Sequence, residues 1–157
     1  MTNLHIALDD PTAPDVHALL EAHLAFARSV TPPEDVFALD PDARLDEKLS
    51  YFSARRGGAL VGVGALREID AHHGEIKSMH TAAGWRRRGL GRCMLDFLVV
   101  EARRRGYQRL SLETGPMEAF APARAMYSAA GFEPTEPFAG YGPRSVCMTL
   151  RLDTKPI

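Results

Sequence analysis

The sequence predicts an α/β (α+β) fold in which a mixed central sheet is flanked by helices. Two observations predict it. Apolar residues recur at a spacing near 2 in some segments and near 3.6 in others, marking strands and helices respectively. The two kinds of segment interleave along the chain, the pattern of a sheet packed by helices. At 157 residues the chain is long enough to bury one substantial core and is read as a single domain, residues 1–157.

The elements follow in order. Leu4-His5-Ile6-Ala7-Leu8 reads as a first strand, ended by Asp9-Asp10-Pro11. From Ala13 to about Ser29, Val16, Leu19, Leu20, Leu24 and Phe26 fall near helical spacing, with Asp15 in the first turn, until Pro32-Pro33 breaks the helix. A second helix is predicted from about Asp42 to Ser53. Gly58–Leu66 is a short apolar run, a buried strand, and Glu68–His72 continues it into a hairpin through the His72-His73-Gly74 turn. Gly74–Thr81 alternates as a strand. Leu90, Met94, Phe97, Leu98 and Ala102 share one helical face, and Gly106 stops that helix. Arg109–Thr114 is a strand with Leu110 and Leu112 on one side. Pro122–Ala130 is a helix with proline in its first turn and Gly131 just past its end. Ser145–Leu152 alternates like a final strand.

Composition excludes several functions. Hydrophobic residues make up 45%, charged residues 25%, and the formal net charge is −1, so no whole-molecule attraction to nucleic acid or anionic lipid is expected. No apolar run approaches the roughly 18 residues of a membrane span. The N-terminus does not read as a signal peptide, and two distant cysteines, Cys93 and Cys147, make no disulfide framework. A cytoplasmic location is the expectation. His72, His73 and His80 have no ligand spacing with either cysteine, so no metal site is expected, and the adjacent His72 and His73 are expected to be exposed at a turn.

The informative stretch is Gly84–Leu95, GWRRRGLGRCML. A strand precedes it and a helix opens at its glycines. A helix N-terminus offers unpaired N–H groups and the positive end of the helix dipole, and glycine lets a phosphate approach that backbone. Together they make an anion cradle suited to a pyrophosphate. The stretch lacks the Lys-Ser/Thr of a P-loop, and Met94 stands where a dinucleotide fingerprint needs a third glycine.

Arg86-x-x-Gly89-x-Gly91 after a strand resembles the acyl-CoA-binding motif of the GNAT (Gcn5-related) N-acetyltransferases. Ala123-x-x-Met126-Tyr127-x-x-x-Gly131-Phe132 resembles that family's Ala-x-x-Leu-Tyr-x-x-x-Gly-Phe segment. The order of elements is similar over about residues 3–152. Two positions depart from the pattern: Phe120 stands where many members have asparagine, and Ala83 where proline often precedes the arginine.

The resemblance implies a mostly antiparallel sheet with a splayed strand pair at the cofactor site. It implies acetyl-CoA as cosubstrate, its pyrophosphate on the amides of Arg87, Arg88, Gly89, Leu90, Gly91 and Arg92, with Arg86 adding charge. Backbone groups of Met79 and Thr81 would pair with pantetheine, and the amide of Met79 or His80 would polarise the thioester carbonyl. Tyr127 matches the general acid. Glu75 and Glu113 are the favoured candidates for the base, with His80 a third. Glu75 and Lys77 share a strand face and could also pair with each other.

Acceptor specificity is expected from the first two helices, the Thr31–Asp42 connection and Phe138–Ser145. Glu34, Asp35, Asp40 and Asp42 would attract an amine, while Arg144 would suit a carboxylate. The implied function is N-acetylation of a small-molecule primary amine by direct attack, with a non-catalytic acyl-CoA-binding regulator as the alternative. A homodimer is a further expectation of the resemblance.

Overall fold

The computed structural model describes residues 3–43 and 46–152. Its centre is a seven-stranded sheet in the order β1-β2-β3-β4-β5-β7-β6. The strands are β1 Leu4–Leu8, β2 Leu49–Arg56, β3 Ala59–Asp70, β4 His73–Thr81, β5 Arg109–Thr114, β6 Glu133–Pro134 and β7 Val146–Arg151. Every neighbouring pair is antiparallel except β4–β5. The helices are α1 Pro14–Val30, α2 Leu90–Arg104 and α3 Ala121–Ala129.

The antiparallel pairs β2–β3 and β3–β4 are joined by tight turns. Gly57 and Gly58, both at positive φ (59° and 82°), close β2 onto β3, the backbone that a two-residue hairpin with right-handed strand twist requires. The parallel β4–β5 pair needs a crossover, and α2 supplies it.

The two long helices lie on opposite faces. Val63 of β3 packs with Val16 and Leu20 of α1. The next residue, Gly64, faces α2, where a Cβ would come within 3.0 Å of Met94 Cγ. Successive strand residues point to opposite faces, so β3 is buried on both sides. Leu66, Leu95, Leu98, Leu110 and Leu112 form the fully buried centre on the α2 side.

One expected element is overturned. The helix predicted over Asp42–Ser53 is not there: residues 49–56 are β2, and Asp42 lies in a turn. Residues 44 and 45 of that expectation lie outside the described residues. The strand forms because it sits between β1 and β3 and completes two ladders, burying Phe52, Ser53 and Ala54. Pairing across the sheet outweighs a weak local helical pattern.

A second correction concerns His73. It is buried, not exposed. Its Nδ1 lies 3.3 Å from the Arg109 guanidinium, which can only donate, so Nε2 carries the proton and donates to Ser111 Oγ at 2.7 Å. That direction is opposite to the one a serine nucleophile needs, so the Ser111–His73 contact is a packing device of the sheet.

Candidate active site

The β4–β5 ladder runs only from His73–Ile76 against Arg109–Leu112. Beyond it β4 continues to Thr81 and β5 to Thr114 without pairing with each other. A β-bulge drives the separation. The register against β3 shifts between Val63–His80 and Ala65–Lys77, and Ser78 within it takes φ 55°. Bulges bend a strand and re-aim its side chains. The result is a cavity of about 610 Å³ between the strands, lined by both of them and by α1, α3, Arg86 and Arg87. Its size falls within the range of small-molecule sites.

The start of α2 follows closely on Arg86 and Arg87. Gly89 caps α2 in the left-handed region at φ 76°, and Arg87 just before it has φ 64°. Cys93 N–H is the first of the helix to bond back, to Gly89 O at 3.1 Å. The amides of Gly89, Leu90, Gly91 and Arg92 are therefore the orphan donors of a helix start. A Cβ on Gly91 would lie 3.5 Å from Met126 Sδ and 3.8 Å from Thr81 Oγ1, so α3 and the end of β4 pack beside the cradle.

The arginine side chains separate in role. Arg86 and Arg87 line the cavity. Arg88 stacks on Trp85 at 4.9 Å, and Arg92 pairs with Asp96 at 2.9 Å. Leu90 is a core residue, 3% exposed, and Met79 packs against the same core. The structure thus brings Met79, His80, Thr81, Arg86 and Arg87 to the cleft, with Gly91 beside Thr81. It turns the side chains of Arg88, Leu90 and Arg92 to other partners, leaving their backbone as the usable part.

Tyr127 lies on α3 with its ring against Phe132 at 6.0 Å and lines the cavity. Burial pushes its phenol up to about 12, so it stays protonated at every working pH.

Further in, Glu75 is 1% exposed and lines the cavity with Glu113. Lys77 Nζ lies 3.6 Å from Glu75 Oε2 and donates to Tyr141 Oη at 2.5 Å, and the Tyr141 hydroxyl donates in turn to Glu75 Oε2. The expected Glu75–Lys77 pair is therefore real, with Tyr141 bridging it. Glu75 Oε1 is buried without a partner. Burial raises the Glu113 carboxyl above its ordinary value, against a hydrogen bond to Ser145.

His80 meets His23 of α1, Nδ1 to Nδ1 at 3.2 Å, with the rings edge to face. Burial, and for His23 the charges of His80 and Lys77, push both down to about 4; Arg86 acts the same way on His80. Both rings are neutral at neutral pH, one donating to the other. The unfolded chain takes up these protons near 6.5 and the folded chain only near 4, so it binds more protons between those values. Stability is expected to fall as pH drops from about 6.5 toward 4. Urea midpoints measured across that range should show a shallower acid slope in His23→Gln.

The acidic connection and Arg144 satisfy each other. Arg144 donates to both Asp35 carboxylate oxygens at 2.8 to 3.0 Å, and His17 Nε2 lies 2.8 Å from Asp42. The carboxylate that Arg144 holds in the structure is that of Asp35. Sequence reading gave the first helices and Phe138–Ser145 to the acceptor but did not single out His23 or Tyr141. His23 continues the buried stripe Val16, Leu20, Leu24, Ala27, a polar residue on an apolar face, and that was its signal. The role of Tyr141 depends on Glu75, 66 residues away.

Among the described residues there is no cluster of metal-ligating side chains and no helix long and apolar enough to cross a membrane. A splayed sheet cleft with a helix-start cradle at one end and a tyrosine and carboxylates beyond it defines an acyltransferase type of site. Residues 16–132 match the acetyltransferase (GNAT) family, and the chain belongs to that family of enzymes. It is 45% identical over 95% of its length to all of the uncharacterized N-acetyltransferase YsnE of Bacillus subtilis. It is 33% identical to an IAA acetyltransferase of Azospirillum brasilense, covering 91% of this chain and 93% of that one. The structure of an acyl-CoA N-acyltransferase from Klebsiella pneumoniae superposes with a TM-score of 0.77 at 29% identity, over 95% of this chain and 97% of that one.

Proposed function

We propose that the protein transfers an acetyl group from acetyl-CoA to a primary amine of a small molecule. The observation that carries this reading is one cleft lined by Tyr127, Glu75 and Glu113 and by Arg86 and Arg87, which stand just before the orphan amides of the α2 start. Acetyl-CoA supplies the activated thioester. The amides of residues 87–92 hold its pyrophosphate, with Arg86 and Arg87 adding charge at the mouth. The unpaired edge of β4 at Met79 and Thr81 accepts the pantetheine arm, and the Met79 or His80 amide faces the carbonyl.

The amine must arrive uncharged, so a carboxylate takes its ammonium proton. Glu113, its carboxyl raised by burial, and Glu75, with its unpartnered oxygen, both line the path. The amine nitrogen forms the C–N bond as the C–S bond breaks. The carboxylate passes the first ammonium proton to solvent, Tyr127 donates its phenol proton to the departing sulfur, and the second proton of the nitrogen, released as the amide forms, returns to the Tyr127 phenolate.

The test is thiol release from acetyl-CoA across polyamines, amino acids, aminoglycosides, arylalkylamines, peptides and IAA, with acetyl-CoA affinity measured alongside. Release with at least one amine is expected. Tight binding without release from any acceptor would make the protein a non-catalytic acyl-CoA-binding regulator.

A further inference from the structure

The acceptor end of the cavity has a charge and a shape of its own. Among the described residues that line the cavity, the cations are Lys77, Arg86 and Arg87. Arg86 and Arg87 stand at the cradle, leaving Lys77, whose ammonium is held by Tyr141 Oη and Glu75. Arg144, at the edge of the same region, is locked on both oxygens of Asp35. Opposing these stand Glu75, with Oε1 buried and unpartnered, and Glu113. The histidine pair adds no positive charge at neutral pH. An incoming ammonium meets the negative charge of Glu75 and Glu113; an incoming carboxylate meets the same two carboxylates and, at this end, no cation without a partner.

The walls are aromatic. Phe26 and Phe120 meet edge to face at 5.6 Å, and Phe37 meets Tyr141 at 5.1 Å. All three phenylalanines line the cavity. Flat rings in offset or edge contact favour a flat apolar ligand.

We propose that the acceptor is a primary amine on an aromatic body without a carboxylate, Glu75 and Glu113 setting the charge and Phe26, Phe37 and Phe120 the shape. This rests on the acyl-transfer reading above and narrows its substrate class. Like-charge contacts in a buried site are costly, so decarboxylated and carboxylated forms of one amine should differ strongly.

The experiment compares thiol release with phenethylamine, tyramine and tryptamine against phenylalanine, tyrosine and tryptophan. Expected is a kcat/KM on the order of 100-fold higher for each amine than for its amino acid. Phe37→Ala should raise KM for the arylalkylamines roughly tenfold while leaving acetyl-CoA affinity unchanged. Asp35→Asn, which frees Arg144, should narrow the amine-to-amino-acid ratio, a gain that loss of packing would not produce. Equal turnover of amine and amino acid, or preference for spermidine or an aminoglycoside, would overturn the substrate class while leaving the acyl-transfer reading intact. No turnover of any acceptor overturns both.

Discussion

Tyr127→Phe is expected to lower kcat by roughly 10²- to 10³-fold, the range a lost general acid produces, with acetyl-CoA affinity nearly unchanged. The variant removes one oxygen and keeps the ring against Phe132, so packing and the shape of the cavity are preserved. What disappears is a donor to the departing sulfur. A group needed only as the C–S bond breaks lowers kcat and kcat/KM together, without a rise in KM. The phenol's position near 12 adds a second reading. Tyr127 loses its proton only as pH approaches 12, so an alkaline fall in wild-type activity near pH 9 would belong to another group. Steady-state kinetics and calorimetric titration with acetyl-CoA check both points. Unchanged kcat would remove Tyr127 from the chemistry and leave it as a core residue of α3.

The helix start after β4 was legible in sequence because its determinants are local. Gly89 and Gly91 shape their own backbone and the helix they open, and both lie within a few residues of the 3-10 turn that follows β4. The helical period of α2 and the alternation of β5 were equally local. What escaped was set by distant partners. β2 was misread because its two ladders, to β1 and β3, are invisible in the polar residues that precede it. The acceptor end is built the same way: His23 reaches His80 over 57 residues, Asp35 reaches Arg144 over 109, and Tyr141 closes on Glu75 from a loop. Asp35 and Arg144 were each read singly, as an amine attractor and a carboxylate binder. Only their contact shows that each neutralises the other.

Gly89→Asp is expected to weaken acetyl-CoA binding by more than 100-fold without unfolding the protein. The two parts of that outcome have one cause. Gly89 is the N-cap of α2 with no side chain to receive the first-turn amides, and no atom lies within 4 Å of where its Cβ would stand. An aspartate there has room, and it tolerates the left-handed backbone at φ 76° better than most residues. Its carboxylate accepts from the amides of the first turn and sits at the positive end of the helix dipole, a stabilising cap. It thereby occupies the donors proposed for the pyrophosphate and places a negative charge where a dianion must come. Gly89→Ala supplies the control: it carries the backbone strain of a non-glycine residue at positive φ, roughly 1 kcal/mol or somewhat more, but no charge, so binding should largely survive while stability falls. Arg87→Ala should cost only several-fold, because one solvated charge at the cavity mouth is screened. Titration calorimetry with acetyl-CoA and thermal melts of the three variants decide it. Affinity retained in Gly89→Asp would mean that the α2 amides do not hold the phosphates.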